Sequence, residues 1–174
     1  MVQIHEVAPD KLARRMNSEP DVSLLEILID CCDVPRWADE ILAGRPYADD
    51  QSLIEAAGRV TAGLTAAEVG VALAGHPRIG DRAAGDSQQA GWSRSEQSRA
   101  STDDTTAQRL REANEQYEEQ FGRVFLICAS GLTAEQILQA ARRRLTNDPD
   151  TEMQVVAAEL GKIASLRLTR ALAA

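Results

Sequence analysis

Helix-start and helix-stop signals recur along the chain, and they constrain its fold more than any other feature. Pro9 suits the first turn of a short helix that stops before Pro20. Ser23 to Cys32 is a dense apolar run ending at Asp33. Pro35 opens a helix that carries Trp37 and closes at Gly44, and Asp50 is placed to cap another reaching about Ala62. Thr65 with Glu68, Ser93 with Glu96, and Thr133 with Gln136 each have the spacing of a capping box. The first predicts a short helix stopped by Gly75. The second predicts a helix toward Gln120, interrupted near Ser101 to Thr106 and ended by Phe121-Gly122. The third predicts a helix ending near Asn147. Asp148-Pro149 then pairs an N-cap with proline at the first helical position and opens a long last helix.

Composition agrees. Aromatic residues are only 3% of the 174, while Ala and Leu abound, which disfavours a sandwich or barrel. A chain of this length can bury a core as one domain without disulfide or metal staples. The expected fold is therefore all-α, a single helical bundle over residues 1–174 with a long C-terminal helix. Val124 to Ala129 stands apart as an apolar run flanked by glycines. It is either a strand-like segment or the start of a buried helix, because periodicity cannot separate the two at this length.

A net charge of −8 argues against nucleic-acid binding, which needs a basic footprint. The run Arg142-Arg143-Arg144 reads as a solvated face at a helix C-terminus, where cations suit the dipole. The three cysteines, Cys31, Cys32 and Cys128, have no zinc or redox spacing, which suits a reducing compartment, and cytoplasm is expected. No signal peptide and no membrane span are expected.

Several chemistries lack their signatures. There is no phosphate-binding glycine loop with a following lysine, no dinucleotide fingerprint, no paired-histidine zinc motif and no nucleophile elbow. Lys11 and Lys162 are the two lysines, so a Schiff-base cofactor has few anchors. The expected cofactor and metal complement is none.

Three residues invite chemistry. His76 follows a helix end, and Pro77 pushes it toward an extended conformation. Imidazole titrates near neutrality, at roughly pH 6.5, and suits proton transfer. Otherwise His76 is a helix-end histidine that interacts with the helix dipole or sits exposed. Glu96 either completes the cap of Ser93 or faces His76 and orients it, with Gln97 adding an amide. Arg167 falls in the middle of the apolar stripe formed by Met153, Val156, Ala157, Leu160, Ile163, Ala164, Leu168 and Ala171. An inward arginine is costly unless it meets an anion. It is a structural ion pair, a snorkelling side chain, or a holder of a carboxylate or ureido group. The Phe125-Leu126-Ile127-Cys128-Ala129 run is core by default. If non-helical, its backbone could also recognise a planar amide.

Taken in order, Cys32 to Ala38 (CDVPRWA), Gly75 to Gly80 (GHPRIG), Ser93 to Gln97 (SRSEQ), Asn114 to Phe125 with Tyr117 and Phe121-Gly122, and Leu145 to Arg167 resemble the OHCU decarboxylases. These enzymes act on 2-oxo-4-hydroxy-4-carboxy-5-ureidoimidazoline (OHCU) in urate breakdown. The resemblance spans roughly residues 20 to 172. It implies an all-helical homodimer without cofactor that forms S-allantoin. It implies His76 as catalytic acid or base with Glu96 beside it, and Arg167 binding substrate. Pro77, Ser93, Arg94, Ser95, Glu96, Gln97, Phe125, Leu126, Ile127, Cys128 and Ala129 would line the pocket. Nothing is carried over from Arg78 to Trp92. Two other readings remain open: a helical dimeric binding module, or a lyase or hydrolase using the same His/Glu pair on another ureido acid.

Overall fold

The computed structural model describes residues 10–79, 92 and 104–173. Their regular structure is all helix: α1 (Lys11–Ser18), α2 (Asp21–Cys32), α3 (Pro35–Ala43), α4 (Asp50–Ala62), α5 (Ala66–Ala74), α6 (Asp104–Phe121), α7 (Ala134–Arg144) and α8 (Pro149–Ala173). The chain is an all-α domain, as its punctuation predicts.

The local signals act largely where they were read. Thr65 and Thr133 each accept a hydrogen bond from the third residue of their helix, and the side chains of Glu68 and Gln136 close both boxes. Asp148 accepts from the amides of Asp150 and Thr151 at the head of α8. Asp33 ends α2 in the left-handed conformation at φ 47°, and Gly122 follows α6 at φ 65°, a region glycine enters without steric cost.

Two positions differ from expectation. Asp49, not Asp50, caps α4: its carboxylate accepts from the amide of Ser52 at 2.7 Å. The carboxylate of Asp50 instead accepts from the amide of Ala13 at 2.8 Å. It thus satisfies a free donor in the first turn of α1, whose own flanking Asp10 makes no cap bond. Helix α7 stops at Arg144 and continues as a turn to Asn147, rather than running to Asn147 as a helix.

Packing divides into two apolar cores. The first surrounds α8, which lies against α4, α2, α1 and α5. Its centre is Trp37, with Met16, Leu24, Leu28, Ile41, Leu53, Leu160 and Leu168 fully buried around it. Each such aliphatic side chain contributes about 1.5–3 kcal/mol through lost contact with water. The Trp37 indole N–H is satisfied by Thr61 Oγ1 at 2.9 Å and the Ala57 carbonyl at 3.1 Å. The second core lies between α6 and α7 and holds Tyr117, Phe121, Phe125, Ile137 and Leu138, together with Ile79.

The 124–129 run joins the two cores, and this decides its conformation. Val124, Leu126 and Cys128 pack against the first core, while Phe125, Ile127 and Ala129 pack against the second. Strict alternation is the period of an extended chain, and no helix is formed there. Of the two readings open in the sequence, the strand-like one holds, without a sheet.

Candidate active site

His76 leaves the end of α5, its amide donating to the Leu73 carbonyl at 2.9 Å. Its Nδ1 lies 2.8 Å from the Ala72 carbonyl oxygen. A carbonyl only accepts, so Nδ1 carries the hydrogen and the neutral ring has its lone pair on Nε2. That Nε2 is buried and has no hydrogen-bond partner among the described residues. Burial first, and the Arg167 guanidinium second, lower the His76 pKa to about 4, against a smaller upward pull from the Ala72 bond. The imidazole is therefore neutral at physiological pH, with an open basic nitrogen.

Arg167 is buried on α8, 2% exposed, as the helical period places it. It also acts on Cys31 and Cys32 at the end of α2. Burial pushes both thiols up to about 12, against the opposing pull of Arg167. Three segments distant in sequence thus converge: the end of α2, the end of α5 and the C-terminal part of α8. Half-buried Pro77 continues the chain from His76. The loop is then braced by α6, where Asn114 donates to the Ile79 carbonyl at 3.0 Å and Arg78 pairs with Glu118 at 2.5 Å. Glu96 and the rest of Ser93, Arg94, Ser95 and Gln97 lie outside the described residues, as does most of the Arg78–Trp92 loop.

Among the described residues the extended run has no sheet partner, and side chains satisfy one of its edges. Arg144 donates to the Leu126 carbonyl at 2.6 Å, and the Glu159 carboxylate accepts from the Cys128 amide at 2.8 Å. In an extended trans backbone, the carbonyl of one residue and the amide two residues on share an edge. Arg144 and Glu159 therefore occupy one edge, and Ile127 turns its own N–H and C=O to the other. Neither Ile127 group makes a hydrogen bond among the described residues. This donor–acceptor pair has the pattern that matches one face of a cyclic amide.

Arg144 corrects the reading of Arg142-Arg143-Arg144 as a wholly solvated face. Arg142 and Arg143 are exposed, but Arg144 is 7% exposed. It pairs with fully buried Glu152 at 2.5 Å and lies over the Phe125 ring at 4.6 Å. Tyr117 donates to the same carboxylate, and Asn147 donates to its other oxygen at 2.8 Å. Arg144, Glu152 and Glu159 were missed as site supports because their partners are far away in sequence. A charge at an apolar position of α8 was the available signal for Glu152, since Glu152 sits beside Met153 and Val156.

An all-α domain in which a buried guanidinium acts on a neutral imidazole, with a backbone edge that has no partner among the described residues, is the class of protein to which acid–base chemistry on a small polar molecule is suited. The OHCU decarboxylase family model matches residues 17–169. The uric acid degradation bifunctional protein TTL of Arabidopsis thaliana is 31% identical over 144 residues, covering 80% of this chain and 44% of that protein. The 2-oxo-4-hydroxy-4-carboxy-5-ureidoimidazoline decarboxylase of Amia calva is 34% identical over 137 residues, covering 77% of this chain and 78% of that one. A crystal structure of an OHCU decarboxylase in the presence of (S)-allantoin superposes with a TM-score of 0.70 at 27% identity, covering 90% of this chain and all of that one. An (S)-allantoin synthase shares the fold, with a TM-score of 0.68 at 19% identity, over 91% of this chain and 53% of that one. The chain belongs to the OHCU decarboxylase family.

Proposed function

We propose that the chain decarboxylates OHCU to (S)-allantoin in urate degradation, and that His76, Glu96 and Arg167 perform the chemistry. The activity is that of the family to which the chain belongs. The residue roles rest chiefly on one observation, the Ala72 bond that leaves His76 Nε2 as a neutral, unpartnered base.

Decarboxylation needs an electron sink, and OHCU carries its own. When the bond between the ring carbon and its carboxylate breaks, the pair forms a double bond to the neighbouring carbon. The former C=N pair moves onto nitrogen, which takes up a proton, and carbon dioxide leaves. Ketonisation completes the reaction: the ring hydroxyl gives up its proton and the neighbouring carbon gains one. The residues need only bind, orient and move protons.

Arg167 holds the substrate carboxylate, the task for which a rigid two-pronged cation is suited. His76 acts first as a base on the ring hydroxyl, because its Nε2 is unprotonated near neutrality, and then returns a proton to one face of the ring. One-sided return sets the handedness of the product. Glu96 steadies the imidazolium formed in between. Pro77, Ser93 to Gln97 and Phe125 to Ala129 line the pocket, with Ile127 N–H and C=O against the cyclic amide of the ring. No metal or organic cofactor is required on this scheme. The whole chain works as one such domain, as a cytoplasmic homodimer.

The test is to add the protein to freshly generated OHCU and follow circular dichroism. Rapid growth of the (S)-allantoin signal above the spontaneous background supports the proposal. Spontaneous, racemic product alone would overturn it.

A further inference from the structure

We infer that Glu159, with Arg144, is a positioning residue for the substrate-recognition run, acting through the backbone of residues 126–128. The inference rests on the reading that this run contacts substrate. An unpaired extended segment costs free energy wherever buried amides and carbonyls lack partners, and it can rotate about its peptide planes. Here two side chains from two helices replace the missing neighbouring strand. Arg144, on α7, takes the Leu126 carbonyl at 2.6 Å; Glu159, on α8, takes the Cys128 amide at 2.8 Å.

Each contact fixes one peptide plane, and each plane carries one of the two Ile127 groups. Holding the Leu126 carbonyl aims the Ile127 N–H, because the two are opposed across a trans peptide. Holding the Cys128 amide likewise aims the Ile127 C=O. The free donor and acceptor therefore point as they do because Arg144 and Glu159 occupy the opposite edge. Both anchors are themselves held. Arg144 is locked by buried Glu152, and Glu159, whose side chain is 13% exposed, is held by Lys162 at 2.6 Å. Glu159 and Lys162 also wall a cleft of about 590 Å³ with Ile127, Cys128, Gln136 and Arg143.

Glu159 separates this role from mere stability, since Arg144 sits in a buried ion-pair network whose loss would itself destabilise the chain. Glu159→Gln keeps a carbonyl acceptor at the same reach. Glu159→Asp keeps the charge but withdraws it by one methylene, and Glu159→Ala removes the acceptor. Losing a hydrogen bond to a charged group, and with it uniform binding, is expected to raise KM roughly tenfold while kcat changes less. Glu159→Asp and Glu159→Ala should behave in this way, with Glu159→Gln close to wild type and all melting temperatures similar. Wild-type KM in folded Glu159→Asp, or Glu159→Gln as impaired as Glu159→Ala, would overturn the inference. A parallel titration of wild-type protein with (S)-allantoin, followed at the Ile127 and Cys128 amide resonances, tests the reading beneath it. Shifts of both amides support that reading. Unmoved amides would remove it, whatever the kinetics of the Glu159 variants.

Discussion

Arg167, in the C-terminal part of α8, acts electrostatically on His76 at the end of α5, and adds to burial in keeping the imidazole neutral. The sign of the resulting pH dependence is fixed. The folded-state pKa, about 4, lies below the ordinary histidine value of 6.5. Between the two, the unfolded chain binds a proton that the folded chain does not. Stability from this residue is complete above pH ~6.5 and declines as pH falls toward the folded value. In denaturant titrations, wild type should therefore lose more stability than His76→Asn between pH 7 and pH 4. The free-enzyme profile of kcat/KM should likewise keep its plateau below pH 6.5. A histidine limb at or above pH 6.5 would contradict this account.

Removing the cation reverses part of that effect. Arg167→Met keeps an unbranched side chain in the apolar stripe but deletes the charge. The His76 pKa should rise, so the acid limb moves to higher pH, and kcat/KM should fall by about 100-fold or more, on the scale of a lost charge-assisted contact. Unchanged KM and an unchanged pH profile would exclude Arg167 from both roles.

The Arg144–Glu152 pair should govern stability. Removing one partner of a buried ion pair leaves the other charge uncompensated, typically at a cost of about 3–5 kcal/mol. Glu152→Ala is expected to lower the melting temperature sharply, and Glu152→Gln less so because it still accepts from Tyr117 and Arg144. Equal melting temperatures for Glu152→Ala and wild type would contradict the buried network.

Cys31 and Cys32, buried at the end of α2 with thiols pushed up to about 12, should be inert as nucleophiles. Iodoacetamide at neutral pH should leave both unmodified in the folded protein and alkylate both in denaturant, as read by peptide mass spectrometry. Fast alkylation of either in the folded state would show that the α2 end is open.

What the sequence revealed follows from the range of each interaction. Thr65 with Glu68 and Thr133 with Gln136 interact within one turn, so their spacing alone identified them. Arg167 was legible because a single helix carries its own period. Asp49 and Asp50 were not separable, since the choice depends on the amide of Ala13, distant along the chain. Arg144 looked like part of a solvated run because its partners, Glu152, Tyr117 and Leu126, come from three other segments. The 124–129 run was undecided for the same reason. Alternation between two cores becomes visible only when both cores exist.

The most direct measurement of the central claim compares wild type with His76→Asn on freshly generated OHCU, following (S)-allantoin by circular dichroism after confirming that the variant folds. Asparagine retains a polar side chain but has no basic nitrogen to take the hydroxyl proton. The account predicts loss of about 100-fold or more in kcat, the scale of general acid–base catalysis, with slow product formation approaching the racemic background. Near-normal turnover to (S)-allantoin by folded His76→Asn would contradict it.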